Sequence, residues 1–174
     1  MSKSRFIILK ITLAALMTAL IYVVTAFLPI VYAGGSGYLN FSDGLIMFTT
    51  IFVGPIEGVF SAIFACAMAD LTAGAANFIP FTICAKALES ISCYLIYKIL
   101  NKHKYLKYIS CIIAPLFMVL TYMVAYLIMY GSSYLVNSLF DLIQGIAGTI
   151  ISIVLLKVFE KLSLDKFKNN SLNN

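Results

Sequence analysis

Ionisable side chains stand in a stretch of the chain that is otherwise apolar enough to lie in lipid. Among them are Asp43, Asp70, Lys86 and Glu89, and each of these falls within or at the end of an apolar run. Moving an ionisable side chain to the depth of a bilayer costs at least about 2.5–3.5 kcal/mol, so such residues usually face a cavity and belong to a substrate or ion site. The pattern therefore predicts a polar pocket inside a membrane protein.

Polar residues recur at the spacing of one helix face in three of the apolar runs. These stripes are Thr82, Lys86, Glu89 and Cys93; Asn137, Asp141, Gln144 and Gly148; and Tyr122, Tyr126 and Tyr130. Within the first stripe, Lys86 and Glu89 can pair along the helix, which lowers the cost of keeping both charged in lipid. Together the stripes predict a cavity, open to the outside, that binds a small, flat, polar organic molecule. Tyrosine rings would stack on its face, while amides and carboxylates would bind its edge.

The predicted ligand-binding residues are Lys86, Glu89, Thr82, Asn137, Asp141, Gln144, Tyr122, Tyr126 and Asn40. Three alternatives stay open. The polar stripes can instead join helices to one another by hydrogen bonds. Asp70 can cap a helix or order a loop rather than contact a ligand. A stand-alone channel or small secondary carrier is also consistent with the sequence, because these intramembrane ionisable residues could relay protons.

Composition excludes an ordinary soluble domain. The chain has 174 residues, a mean hydropathy of +1.00, 62% hydrophobic residues and only 11% charged residues, whereas a soluble domain carries about 25% charged residues. A phosphate-binding GxxxxGK[ST] loop is absent from the sequence, so an ATPase that drives this protein must be another chain. We predict no enzyme, because the spans contain no histidine, HExxH or DxxD motif. We also predict no metal, no cofactor and no nucleic-acid partner.

The apolar runs and the basic residues together predict the topology. The predicted membrane spans are 8–30, 43–53, 56–73, 80–99, 109–130 and 136–159. Basic residues other than Lys86 fall in three clusters, near residues 3–10, 98–107 and 157–168. Basic loops stay in the cytoplasm, so residues 8–99 must cross four times, and this requires a helix break at Gly54-Pro55. We therefore predict an all-α, six-helix membrane domain over 1–162 with both termini cytoplasmic, and a polar tail over 163–174.

The first span carries a separate signal for close helix packing. Ala15 and Ala19 form a small-xxx-small pair, a pattern that lets a second helix approach closely. That second helix can belong to this chain or to a separate membrane subunit, and the sequence leaves both alternatives open.

Several short motifs, in order along most of the chain, resemble one known family. They are Ala15-xxx-Ala19, Asn40-Phe-Ser-Asp43, Gly54-Pro55-Ile-Glu-Gly58, Ala69-Asp70-Leu71, Pro80-Phe-Thr82 with Lys86, and Gln144-Gly145-xx-Gly148. This set resembles the S component, the substrate-capturing subunit, of prokaryotic energy-coupling factor (ECF) vitamin transporters. The resemblance implies a six-helix protein of the cell membrane that works with a transmembrane T component and two ABC-type ATPase subunits.

The resemblance also implies roles for particular segments. The alanine face of the first helix would contact the T component, the loop 31–42 would cover the substrate, and the last three helices would form most of the pocket. The motifs are most similar to members that take hydroxymethylpyrimidine or pyridoxine. Riboflavin or pantothenate is the alternative class of substrate, and thiamine is disfavoured because the chain has no tryptophan to stack on it.

Overall fold

The computed structural model describes residues 3–28, 30–31, 38–103 and 105–161. In this part of the chain, six α-helices account for almost all of the regular structure. They are α1 (Lys3–Phe27), α2 (Ser42–Phe52), α3 (Pro55–Thr72), α4 (Ile79–Leu100), α5 (Ile109–Tyr130) and α6 (Asn137–Lys161). The short antiparallel strands β1 (Ile30–Val31) and β2 (Tyr38–Leu39) pair between α1 and α2. Three short 3-10 turns precede α4, α5 and α6.

The all-α, six-helix prediction is confirmed, and each helix lies within about five residues of its predicted span. The predicted tail 163–174 and half of the predicted covering loop, residues 32–37, lie outside the described residues. The predicted orientation, with both termini cytoplasmic, remains a prediction. We call the end at which α2, α4 and α6 begin the outer end of the bundle. The opposite end, where Lys10, Lys98, Lys107 and Lys157 lie, is the inner end.

The break between α2 and α3 lies where the sequence predicts it. Helix α2 ends at Phe52 and α3 begins at Pro55, with Gly54 between them at φ 151°. A side chain is strained at that φ, and a Cβ on Gly54 would lie 2.3 Å from Oε2 of Glu57. Proline at the first position of α3 needs no intrahelical donor, so the pair ends one helix and begins the next.

Five helical segments of the described chain are long and apolar enough to cross a membrane, and α2 is the shorter sixth helix. With 11 residues, α2 is about 16 Å long, roughly half of the hydrocarbon thickness. It contacts α1, α3, α4 and α6, and ten of its residues are buried. Large apolar side chains on the other helices are exposed, among them Phe60 and Ile128. The chain is therefore an integral membrane protein with α2 at its centre.

Glycines bring α2 against its neighbours. A Cβ on Gly44 would lie 2.6 Å from side-chain atoms of Ile151, and a Cβ on Gly148 would lie 2.7 Å from Cβ of Asp43. A Cβ on Gly58 would similarly collide with Thr50. Because the backbones of α2 and α6 approach so closely, the first turn of α2 is held directly against α6.

The interior is divided into an apolar inner half and a polar outer half. The inner half contains an aromatic cluster in which Phe48, Phe52 and Phe159 have ring centroids 5.0–5.1 Å apart, together with Tyr97 and Leu156. Buried charged and amide side chains lie towards the outer half.

Candidate functional site

Helices α4 and α6 carry polar side chains from their outer ends into the bundle. Thr82, Lys86 and Glu89 lie about 4.5, 10 and 15 Å from the start of α4. On α6, Asp141 and Gln144 lie about 6 and 10 Å from its start. All five side chains are buried. The two predicted stripes therefore occupy the same range of depth in the outer half of the bundle.

Helices α2 and α5 complete the set from the other side. Asp43 is the second residue of α2 and is fully buried. Helix α5 ends at Tyr130 at the outer end, so Tyr126 and Tyr122 lie about 6 and 12 Å inward from that end. Side chains from α2, α4, α5 and α6 thus lie at a similar depth in the bundle, and they form hydrogen bonds with one another.

Lys86 is the centre of the charged part of the site. Its side chain is only 1% exposed, and its Nζ atom donates to Oδ1 of Asp43 and, at 3.3 Å, to Oε2 of Glu89. The predicted pairing of Lys86 with Glu89 along α4 is present, but Asp43 is the closer partner. The sequence shows Asp43 as an intramembrane acid, but Asp43 is not among the predicted ligand-binding residues. Its position in a Ser-Asp-Gly helix start gives no sign that it meets α4.

Gln144 links the charged centre to the segment before α2. Its Nε2 atom donates to Oδ2 of Asp43 at 2.8 Å, and its Oε1 atom accepts from the backbone N–H of Asn40 at 3.1 Å. The Asn40 side chain accepts from the backbone and hydroxyl of Ser42. The Oδ1 atom of Asn40 therefore helps to fix the start of α2.

Two tyrosines on α5 form an aromatic wall beside the charged centre. The Tyr122 and Tyr126 rings are stacked, with centroids 6.5 Å apart, and Nζ of Lys86 lies 5.9 Å from the Tyr122 centroid. The Tyr122 hydroxyl donates to Thr82 at 3.3 Å, and the Tyr126 hydroxyl donates to Oδ1 of Asp141 at 3.4 Å. Hydroxyl bonds usually measure about 2.7–2.8 Å, so both of these are weak enough to be exchanged for bonds to a ligand.

Two carboxylate oxygens in the site have no hydrogen-bond partner among the described residues. They are Oε1 of Glu89 and Oδ2 of Asp141, and both are buried. The Glu89 side chain is fully buried and Asp141 is 4% exposed. Leaving a buried acceptor unpaired costs about 1–3 kcal/mol, and more for a charged group. Each of these oxygens can therefore accept a further hydrogen bond.

The remaining predicted residues lie at the edge of this site or away from it. Asn137 is buried at the first position of α6, and Asp70 is buried near the outer end of α3. Ala15 and Ala19 are exposed on α1. The described part of the chain contains no group of three or more His, Cys, Asp or Glu side chains suited to a metal ion.

The contact between α1 and α3 uses the helix face next to the two exposed alanines. The Thr18 hydroxyl donates to Ser61 at 2.8 Å, and the Ser61 hydroxyl donates to the carbonyl of Ala14 at 3.3 Å. A groove of about 460 Å³ runs between the two helices and includes Ala15. The bundle's own packing therefore leaves the Ala15–Ala19 pair uncovered.

Comparison with known proteins gives three matches. The family model "ECF-type riboflavin transporter, S component" matches residues 5–161. A solved structure described as "Structure and mechanism of the S component of a bacterial ECF transporter" aligns with a TM-score of 0.73 and 23% identity, covering 88% of this chain and 96% of that chain. At this identity the likeness shows the fold. An "Uncharacterized protein in gap 3'region" of Pyrococcus woesei is 28% identical over 130 residues, which are 74% of this chain and 86% of the relative.

Proposed function

The chain belongs to the S-component family of ECF-type riboflavin transporters, and from this premise we propose that it captures a small heteroaromatic vitamin or vitamin precursor outside the cell. Members of this family are substrate-binding membrane subunits of transporters. In our proposal, the buried outer site formed by α2, α4, α5 and α6 binds the vitamin. Partner subunits then supply the ATP-driven uptake.

The buried oxygens of Glu89 and Asp141 that have no hydrogen-bond partner among the described residues support this proposal most strongly. A purely structural set of interhelical hydrogen bonds gains nothing from leaving two such acceptors unpaired. A ligand with N–H and O–H donors at its edge would satisfy both. The stacked rings of Tyr122 and Tyr126 offer a face to its aromatic ring.

Riboflavin is the first candidate ligand because it is the vitamin in the description of the matching family model. Hydroxymethylpyrimidine and pyridoxine are the second candidates. Each is a single small ring whose hydroxyl groups could donate to the unpartnered oxygens of Glu89 and Asp141.

Calorimetric titration of the purified chain tests the proposal. The panel would contain riboflavin, hydroxymethylpyrimidine, pyridoxine, thiamine and pantothenate. We expect one of the first three to bind with a submicromolar Kd, and Lys86→Met to abolish that binding, because the variant removes the ammonium that positions Asp43 and Glu89. If no compound of the panel binds below micromolar concentration, the proposal is wrong.

We further propose that α1 docks onto a transmembrane T component through Ala15 and Ala19, and that two ABC-type ATPases drive transport. Small residues that the bundle itself leaves uncovered support this assignment. Ala15→Trp and Ala19→Trp should preserve vitamin binding and block uptake in proteoliposomes that contain all subunits. Ile128→Trp, at a lipid-exposed position of α5, is the control. Uptake by the isolated chain without an ATPase would instead identify a secondary carrier.

A further inference from the structure

A row of aromatic rings leads from the outer end of the protein to the candidate site. Tyr134, in the 3-10 turn before α6, stacks on Tyr130 at the end of α5, with ring centroids 4.7 Å apart. The Phe78 ring, in the 3-10 turn before α4, lies 6.0 Å from the Tyr130 centroid and 6.1 Å from that of Tyr126. Tyr126 in turn stacks on Tyr122. Each ring of this row is therefore within aromatic contact distance of the next.

The aromatic row passes from exposed rings to a buried one. Tyr130 and Tyr134 are 43% and 36% exposed. Phe78 is half-buried, and Tyr126 is buried. Exposed polar residues lie beside the outer rings in sequence, namely Asn77, Ser132 and Ser133. The outer rings thus lie among polar loop residues at the end of the bundle where a vitamin from outside would arrive.

Tyrosines near the ends of membrane helices often form an interfacial belt instead. A ring of such a belt contacts lipid headgroups, and this role requires neither contact with other rings nor a connection to a buried site. Tyr130 and Tyr134 have both, because they stack on each other and are joined through Phe78 to Tyr126. Exposed aromatic surface that continues into a pocket is typical of a ligand-binding surface.

We propose that Phe78, Tyr130 and Tyr134 form an outer aromatic subsite, on which the ring of the vitamin stacks before it enters the buried site. The inference rests on the proposed function and adds a step to capture. The ligand class of this subsite is a flat aromatic ring, because stacking uses the ring face and requires no particular polar group.

A subsite on the entry path acts on the rates of binding rather than on affinity. In this proposal the vitamin contacts the outer rings in the transition state for entry but not in the final bound state. The rings therefore speed association and dissociation by the same factor. Kd, which is the ratio of the two rate constants, does not change.

Stopped-flow fluorescence on the full chain in nanodiscs tests the outer subsite. The probes are riboflavin and pyridoxine, which both fluoresce, and the measurements give kon, koff and Kd. Tyr130→Leu/Tyr134→Leu removes both rings and keeps apolar side chains. We expect kon and koff to fall together by about fivefold or more, since one ring contact corresponds to about two- to tenfold in a rate constant. Tyr134→Leu alone should lower both by at least about twofold, and it provides the test if the double variant does not fold.

Two control variants separate the rings from other effects. Tyr130→Phe/Tyr134→Phe keeps both rings without their hydroxyl groups and should retain the rate constants of the parent chain. Tyr105→Leu removes a tyrosine that is 73% exposed at the inner end, and it should leave kon and koff unchanged.

The outcomes that contradict the outer subsite are distinct from one another. Unchanged rate constants in Tyr130→Leu/Tyr134→Leu would identify an interfacial belt. A faster koff with an unchanged kon would place the rings in the final site, and an increase of both would identify a steric barrier at the entrance. Each of these results overturns the inference and leaves the proposed function standing. A parent chain that binds neither probe also overturns the inference, and the titration with the wider panel then decides the proposed function separately.

Discussion

The contact between Asp43 and Lys86 is the interaction whose energy can be predicted in most detail. Both side chains are buried, at 0% and 1% exposure. Removing one partner of a buried ion pair costs about 3–5 kcal/mol, because the other charge is left without compensation. In Asp43→Asn, Lys86 keeps Glu89 at 3.3 Å and an amide oxygen can still accept, so we expect about 3 kcal/mol. In Lys86→Met, the side-chain partner that remains for Asp43 among the described residues is Gln144, so we expect a value in the upper part of that range.

The double variant Asp43→Asn/Lys86→Met should lose less stability than the sum of the two single variants. It removes both charges together, so neither is left alone, and we expect a coupling free energy of at least about 1.5 kcal/mol. The measurement is unfolding in mixed micelles by increasing SDS, followed by helical circular dichroism. Four proteins, the parent, the two single variants and the double variant, complete the cycle.

A second cycle at Lys107 and Glu160 provides the matched control. Their atoms are also close, at 2.8 Å, but the side chains are 15% and 21% exposed at the inner end. Solvent-accessible ion pairs contribute about 0–1 kcal/mol to stability. The coupling free energy between Lys107 and Glu160 should therefore be clearly smaller than that between Asp43 and Lys86. If the coupling between Asp43 and Lys86 is within about 0.5 kcal/mol of zero, the site is not organised around this pair and the reasoning is refuted.

Three further predictions follow from particular contacts. Gly148→Ala should destabilise the fold by about 1–3 kcal/mol and weaken vitamin binding, because the new Cβ would lie 2.7 Å from Cβ of Asp43. The control Ile146→Ala, on the exposed face of the same helix, should leave both the free energy of unfolding and the affinity unchanged in the same unfolding and titration assays. Gly54→Ala should lower the free energy of unfolding by at least about 1 kcal/mol, because the φ of 151° strains a side chain; an unchanged unfolding midpoint would contradict this. Tyr126→Phe should weaken vitamin binding by no more than about tenfold, because the aromatic ring remains. Tyr126→Leu removes the ring and should weaken binding further, so equal affinities of the two variants would rule out stacking of the vitamin on Tyr126.

Much of the fold is encoded in local features that a sequence shows directly. Apolar runs set the helices, and the three basic clusters demand an even number of crossings before residue 98. A helix break at Gly54-Pro55 supplies the additional crossing, and in the structure α2 ends and α3 begins there. These signals are independent of how the helices pack, which is why the six helices could be predicted.

The candidate site could be predicted only along single helices. The spacing of Lys86 and Glu89 places both on one face of α4, and the structure has them in contact. Asp43 as the closer partner of Lys86 could not be inferred, because that contact depends on the rotation of α2 and on its close approach to α6 at Gly148. Rotations of this kind are set by side-chain packing between segments far apart in sequence.

Asn40 stays a predicted ligand-binding residue, and the structure adds a local role that the sequence does not show. Its Oδ1 atom accepts from Ser42, while its backbone N–H donates to Gln144. Asparagine often bonds nearby backbone at the start of a helix, and only the structure shows that this local role is taken up here.

The most direct test of the central claim is an experimental structure of the chain with its vitamin bound. The ligand should lie against Tyr122 and Tyr126, with N–H or O–H donors about 2.6–3.1 Å from Oε1 of Glu89 and Oδ2 of Asp141. Density for the vitamin elsewhere in the protein, with those two oxygens still unpartnered, would contradict the assignment of this site.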